Sequence, residues 1–426
     1  MKKWFLLVLF IFIFLFTGCS NSMDEKRFND TKNFKTLNEV TFPTKDFKNY
    51  NYNDFDQETR NLAYLNNFMN ITSKELFIEE ENYIYSPISL YMALSMLVQG
   101  ANGQTKEELL NLLKGDTNIT LETVNKHNKA IYNHNHYKNN KGQLKIANSI
   151  WIKNDFSVKE QFLNNLSENY YANAYSTNFD DEGKQNIADW INHYTNDLLN
   201  IKKDNYPITN DTVLMLINTI YFNNKWQEEF NKSNNYKDTF YGEKETNVEY
   251  MKHVYETTYY ETEKYEAFYD YFENKNKIKY IFPKENSSVL ECLNDNVLYD
   301  EQSEKNSIYV EMTLSVPKFK TTSKYKLNDT LKKLGLNNMF DKKQADFSNI
   351  SDEELYVSFV QQDAGIILSE EGVKATAVTS IGINKESAIE PVVTVKEIIL
   401  NRPFIYVISD AYGVPLFVGV VSNPKI

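Results

Sequence analysis

Between Glu370 and Phe404 the chain carries a segment patterned as a strand but composed as a loop. Val373, Ala375, Ala377, Thr379, Ile381 and Ile383 fall on one side of an extended backbone. Lys374, Thr376, Ser380, Gly382 and Asn384 fall on the other, with Val378 the one apolar exception. Side chains of a strand alternate between faces, so the row predicts a half-buried strand. Twelve such residues would span roughly 40 Å, long for one strand of a globular domain. Yet the residues are small, include Gly and are mostly polar on one face, as in an exposed loop. A segment written for both states invites a two-state reading.

The rest of the chain is long enough to bury a large core. It has 426 residues, 42% of them hydrophobic, which suits one big domain or two ordinary ones. Tyr (30) and Phe (27) are abundant and Gly (13) is scarce, so the chain is globular rather than repetitive or disordered. The net charge is -12, and removal of Lys2 and Lys3 with a leader would make it -14. Nucleic acid, which needs clustered Lys and Arg, is excluded as a partner. Two cysteines, Cys19 and Cys292, are too few for a disulfide framework.

Met1-Lys2-Lys3 is a basic start, and Trp4 to Phe16 is an apolar run too short to span a bilayer comfortably but suited to a signal-peptide core. Leu15-Phe16-Thr17-Gly18-Cys19 resembles the bacterial lipobox, with Phe16 where Leu is usual. The resemblance implies cleavage of residues 1–18, acylation of Cys19 and lipid anchoring outside the cytoplasm. An uncleaved membrane anchor is the competing reading. Residues 19–57, rich in Asn, Asp, Lys and Thr without sustained periodicity, read as a flexible tether.

From residue 58 the chain becomes periodic. Leu62, Leu65, Phe68 and Met69 lie at helical spacing. Ser86-Pro87 opens a helix that is apolar nearly all round and therefore central. Thr105-Lys106-Glu107-Glu108 reads as a capping box, and Gly115 as a helix end. Residues 144–152 alternate as a strand, 156–170 and 187–199 are amphipathic helices, and 212–222 is a buried strand. Strands dominate 239–281, 308–319 and the three runs after 392, with a short helix at 327–334. No linker or repeat interrupts 58–426, which favours one mixed α+β domain.

Catalytic machinery is hard to find. There is no Gly-x-Ser-x-Gly, His-Glu-x-x-His, Cys-x-x-Cys or phosphate loop. Ser86 and Ser89 are explained by capping and buried hydrogen bonding. His127, His134 and His136 sit in an Asn-rich polar stretch that reads as a solvated loop rather than a metal site. Cys292 reads as a half-buried packing residue.

Glu370-Glu371-Gly372-Val373-Lys374-Ala375-Thr376-Ala377 resembles the hinge of a serpin reactive loop. Asn401-Arg402-Pro403-Phe404 and residues 416–424 resemble the closing strands of that family. Ser86-Pro87-Ile88-Ser89, Asn218, Trp226 and Val316-Pro317-Lys318-Phe319 match further family blocks in order across 58–426. Where the family usually has His, ten residues before Gly372, this chain has Gln362. That side chain can donate and accept hydrogen bonds but carries no titratable proton.

The resemblance implies a serpin fold: three β-sheets, about eight or nine helices, and a reactive loop at about 370–391 that can insert into the main sheet. It implies no enzyme activity, no cofactor and no metal. The partner would be an extracellular serine, or cysteine, protease, trapped by a monomeric inhibitor as a covalent acyl-enzyme. Ser86, Ser89, Asn218, Trp226 and Gln362 would lie where that sheet opens. A non-inhibitory serpin-fold binding or carrier protein is the alternative. Small uncharged residues at inward positions favour the inhibitor, because an unpaired buried charge is costly. Counting fourteen residues from Gly372 places the scissile bond at Glu386-Ser387. A loop one residue shorter would place it after Lys385, and counting back from Asn401 would move it towards Ile389.

Overall fold

The computed structural model describes residues 34–38, 40, 62–78, 81–209, 211–373 and 394–424. A two-residue strand β1 (Lys35–Thr36) is followed by α1 (Ala63–Leu76), β2 (Tyr83–Tyr85), α2 (Pro87–Gly100), α3 (Gly103–Lys114) and α4 (Leu121–Asn135). Then come β3 (Tyr137–Asn139), β4 (Gly142–Lys153), α5 (Glu160–Tyr170), β5 (Ala172–Thr177), α6 (Asp181–Tyr194) and β6 (Leu214–Lys225). The chain continues through β7 (Tyr236–Tyr241), β8 (Glu245–Glu261), β9 (Tyr265–Tyr271), β10 (Lys277–Pro283), α7 (Val289–Asn294) and α8 (Glu301–Glu304). It closes with β11 (Ile308–Pro317), β12 (Phe319–Lys326), α9 (Asn328–Lys333), β13 (Phe359–Ser369), β14 (Gly372–Val373), β15 (Thr394–Ile399), β16 (Phe404–Ser409) and β17 (Pro415–Val421).

Two hydrogen-bonded ladders organise these elements. The first runs β1-β5-β4-β6-β14-β13-β12, with β3 on β4; the second runs β15-β11-β8-β9-β10-β16-β17-β2, with β7 on β8. The second and third sheets of the expected architecture are joined here. The 17-residue strand β8 pairs with β11 over most of its length and with β9 at its far end.

Strand β6 shows why the first ladder needs cover on both faces. Leu214, Leu216, Ile220 and Phe222 point into the main core, which also holds nearly all of α2. Met215 and Ile217 point the other way, into a second core under α6 built on Trp151, Tyr175, Ile187 and Trp190. A run buried on both faces reads as continuously apolar, the signature seen in its sequence. Pro87 occupies the first turn of α2, and the Ser86 Oγ accepts a hydrogen bond from the Ser89 N–H at 3.3 Å.

Several local readings are corrected. Residues 34–38 and 40, expected within a flexible tether, are docked. Lys35 and Thr36 pair with Ser176 and Tyr175, Phe34 meets Trp151 and Tyr175 edge-on, and Val40 is buried. The Asn38 side chain accepts from the Ala174 N–H and donates to the Ala172 carbonyl and the Ser167 hydroxyl. Helix α3 begins at Gly103, and Thr105 is no cap, because its Oγ1 accepts the Asp346 N–H instead. The expected helices at 156–170 and 187–199 are shifted to Glu160–Tyr170 and Asp181–Tyr194. The polar stretch holding His127, His134 and His136, expected as a solvated loop, falls in α4 (Leu121–Asn135) and at its C-cap. His127 and His136 are buried and hydrogen-bond the Tyr64 hydroxyl and the Ile146 carbonyl. Cys292 is fully rather than half buried, and burial first of all pushes its thiol up to about 11.

Asp410 closes the turn between β16 and β17. It accepts the N–H groups of Tyr412 and Val414, both at 2.9 Å, and the Asn135 amide at 2.8 Å. Burial raises its carboxyl to about 6 despite these donors. A carboxyl raised in the folded state favours folding below its unfolded pKa of 3.8, and that contribution is lost as pH rises through about 6. Asp410→Asn is therefore expected to flatten the stability profile between pH 4 and 6. The difference from wild type should change by about 2–3 kcal/mol across that window. Urea denaturation at closely spaced pH values checks this; parallel profiles would contradict it.

Candidate functional site

The first ladder is incompletely zipped at its centre. Strands β6 and β13 run parallel and pair only at Phe359↔Met215 and Val360↔Leu216 among the described residues. Above these pairs the two strands separate, and among the described residues the two of β14 lie between them. Gly372 stands opposite Lys225 and Val373 opposite Asn224 on one side, and Ser369 and Leu368 face them on the other. Gly372 has φ +134°, and a Cβ there would come within 2.1 Å of the Asn224 carbonyl oxygen, so only glycine fits. Val373 is 1% exposed and joins the main core.

Trp226 fixes the upper end of this opening. Its ring is fully buried and stacked on Phe272 at 4.6 Å, and its Nε1–H donates to the Ser369 carbonyl at 2.9 Å. The Trp226 and Phe230 backbone N–H groups donate to the carbonyls of Glu371 and Glu370. Glu370 is itself buried; its Oε1 accepts from Asn235 at 2.6 Å and Lys318 at 3.1 Å, and Lys318 also meets Glu249 at 3.0 Å. Burial opposes the Glu370 charge. Its own backbone N–H, Asn235 and Lys318 outweigh that cost and hold the carboxyl below its ordinary range. Glu371 pairs with Lys232 at 3.0 Å on the surface, a contact worth little by itself.

Halfway down, side chains behind the sheet tie the two separated strands to the helices. Gln362 on β13 accepts the Ser86 N–H at 2.8 Å and donates to the Ser86 carbonyl at 3.0 Å, clasping the start of α2. Ser89 is buried beside it, and its hydroxyl has no hydrogen-bond partner among the described residues. Asn218 on β6 donates to the Asn148 side chain, and Asn148 in turn donates to the Tyr170 carbonyl at 2.7 Å.

On the α6 side, Thr219, Gln361, Asp363 and Tyr206 line a small cavity with Ile191, Met215 and Ile217, and Asn218 borders it. The Tyr206 hydroxyl donates to the Asp363 carboxylate, and burial pushes that carboxyl above its ordinary range. Among the described residues, Asn218 Oδ1, Thr219 Oγ1 and Gln361 Oε1 have no hydrogen-bond partner.

The structure thus brings Ser86, Ser89, Asn218, Trp226, Gln362, Glu370, Glu371, Gly372 and Val373 to the two borders of one opening. Ala375, Ala377, Lys385, Glu386, Ser387 and Cys19 lie outside the described residues. Sequence reasoning missed Lys318, Glu249, Asn235, Tyr206 and Asp363. Lys318 stood inside a block matched to the family, but nothing local marks its partners. Among the described residues no group of three or more His, Cys, Asp or Glu could hold a metal ion, and no helix is long and apolar enough to cross a membrane.

A mixed α+β domain whose main ladder has room for one more strand is the architecture of serpins. The chain belongs to that family: the serpin (serine protease inhibitor) family model matches residues 63–424. The native state of tengpin, a thermophilic serpin, superposes with a TM-score of 0.77 at 30% identity, covering 92% of this chain and all of tengpin. Tengpin in its latent state gives 0.72 at 27% identity, over 89% of this chain and all of that one. A serpin-like protein of Methanosarcina acetivorans is 28% identical over 98% of this chain and 97% of its own length. Mouse alpha-2-antiplasmin is 30% identical over 87% of this chain and 74% of its own. Serpins are generally protease inhibitors rather than catalysts and form complexes with their target proteases.

Proposed function

We propose that this chain is an inhibitory serpin that traps an extracellular serine or cysteine protease as an acyl-enzyme. The observation that carries the reading is the register of β14. Ten residues on from Val373 and ten back from Asn224, Ile383 would meet Leu214, the first residue of β6. A strand from Gly372 to Ile383 would therefore match β6 along its whole length. Val373, Ala375, Ala377, Thr379, Ile381 and Ile383 would take the side of Asn224, Phe222, Ile220, Asn218, Leu216 and Leu214, most of which line the main core. The exception in the alternation also finds a reason. Val378, five residues on, would lie between Thr219 and Asp363, against the cavity under α6 rather than in water.

In this mechanism the protease attacks the loop as substrate and forms the acyl-enzyme. Cleavage frees the segment after the hinge, which enters between β6 and β13. New backbone pairing and burial of the inward row lower the free energy and carry the tethered protease away before hydrolysis finishes. The native fold is then metastable, held by a kinetic barrier. Gln362 and Trp226 sit on the path, since opening the ladder requires both to let β13 move.

The scissile bond is placed at Glu386-Ser387. A Glu-specific and a trypsin-like protease, each incubated with wild type, Glu386→Ala and Lys385→Ala, test this. Complex with the Glu-specific enzyme, lost in Glu386→Ala, is expected. Complex with the trypsin-like enzyme, lost only in Lys385→Ala, would move the bond one residue. Cleaved chain without complex from every enzyme would favour the carrier reading.

Cys19 is proposed to carry the lipid that anchors the protein outside the cytoplasm, supported by the apolar core running into Gly18-Cys19. Cys19→Ala should leave the membrane fraction or remain unprocessed. Unchanged membrane association, with no lipid on Cys19 by mass spectrometry, would contradict the anchor.

A further inference from the structure

The small cavity under α6 touches both borders of the opening, and its polar wall is made of oxygen. Thr219 reaches it from β6, Gln361 and Asp363 from β13, and Tyr206 from the chain after α6. Thr219 is 3% exposed, and its Oγ1 has no hydrogen-bond partner among the described residues. The Gln361 amide turns its Nε2 to Asp363, 3.4 Å from each carboxylate oxygen. That orientation leaves the buried Gln361 Oε1 without a partner among the same residues. The Tyr206 hydroxyl gives its one hydrogen to Asp363, so its oxygen can still act as an acceptor.

Asp363 is a buried carboxyl with no ion-pair partner among the described residues. Its register neighbour on β12, Lys324, is exposed. The field of Lys324 acts on that carboxyl less than burial does, and less than the bonds from Tyr206 and Gln361. A buried carboxylate is stable only when it is paired or coordinates a metal, and otherwise it takes up a proton. The cavity has a volume of about 10 Å³, room for one water-sized sphere. Calcium takes six to eight oxygens and magnesium keeps several waters, too many for this space. One carboxylate set among neutral oxygens balances a single positive charge. A water there would leave that charge uncompensated.

We propose that this cavity binds a monovalent alkali cation, sodium or potassium, through Thr219 Oγ1, Gln361 Oε1 and the Asp363 carboxylate, clipping β6 to β13 in the intact protein. Its release when the loop enters rests on the inhibitory reading above. Carried along the β14 register, Val378 would stand between Thr219 and Asp363 and face this same cavity. A valine side chain and a cation cannot share room for one water-sized sphere, so the inserting strand would expel the ion. A ligand that binds the uninserted form alone stabilises that form by mass action. The alkali cation therefore opposes opening of the ladder until the loop is cut.

Melting the intact chain at equal ionic strength in sodium, potassium and choline chloride tests this. Choline screens charge equally but is too large for the cavity. Enough urea is added to bring intact and cut chains into range. The midpoint should be a few degrees higher in an alkali salt than in choline chloride, and the gain should saturate. The salt that saturates at the lower concentration identifies the ion. Asp363→Asn, which keeps the shape and removes the charge, should abolish the gain. Thr219→Val should raise the half-saturating concentration about 10-fold or more, which keeps a readout if the first variant does not fold. Chain cut within 383–390 should melt alike in all three salts. Equal midpoints for the intact chain in the three salts, or variants that respond as wild type does, would mean that the cavity takes water only and would overturn the cation site. A cut chain that keeps the full alkali gain would leave the site standing and contradict the insertion register behind the ion's release.

Discussion

Val373→Arg is expected to convert the protein from inhibitor into substrate. Val373 is the first residue of the proposed inserted row, and its side chain already lies in the main core between Asn224 and Leu368. A guanidinium there has no carboxylate partner, and an unpaired buried charge costs several kcal/mol. The cheapest escape is to withdraw β14 from the ladder, since a two-residue strand has little to lose. The loop would still be cut, but the inserting strand could not start, and hydrolysis of the acyl-enzyme would win. Yield of SDS-stable complex should fall from most of the inhibitor to almost none, with cleaved chain in its place. Val373→Thr, close in shape and uncharged, should retain most of the yield. A full yield from Val373→Arg would show that the row is not read inward as the β14 register implies.

Cleavage within residues 383–390 should make the protein far more heat-resistant. Among the described residues of the intact protein, Asn218 Oδ1, Thr219 Oγ1 and Gln361 Oε1 have no hydrogen-bond partner, and β6 and β13 share two paired positions. Insertion of about ten residues gives both strands a backbone partner, each hydrogen bond adding about 0.5–1.5 kcal/mol. Burial of Ile381 and Ile383 adds about 1.5–3 kcal/mol each. Ordering the segment costs about 1–2 kcal/mol per residue, which offsets much but not all of this. The thermal midpoint should rise by about 10 °C or more, since even a few kcal/mol moves it by several degrees. Equal melting of cut and intact protein would mean that the loop stays out and that the carrier reading is correct.

The parts of this architecture written in local pattern were legible in the sequence. The two-faced burial of β6 appears as a continuous apolar run, the start of α2 as Ser86-Pro87, and the inward row as strict alternation from Val373. What pattern could not give were contacts between residues distant in the chain. Lys318, Glu249, Asn235 and Glu370 meet only because the ends of β8, β12 and β13 converge beside Trp226. The Tyr206–Asp363 pair depends on the chain after α6 crossing over β13. Local signals were also overruled by such contacts. Thr105 had the spacing of a cap, but Asp346 claimed its hydroxyl. His127 looked solvated among Asn residues until Tyr64, from another helix, covered it. Strand β1 is two residues long, too short for any period to announce it, and is held by Phe34 and Asn38 on either side.

Amide hydrogen exchange on the chain before and after cleavage within 383–390 tests the insertion itself. Between Ile217 and Asn223 on β6, and between Gln361 and Ile367 on β13, the backbone groups that face the opening have no strand beside them among the described residues of the intact protein. Insertion would pair them, so these two stretches should become strongly protected after the cut, together with the segment from Lys374 to Ile383. Unchanged exchange along both borders, with 374–383 still exchanging freely in the cut chain, would contradict the mechanism.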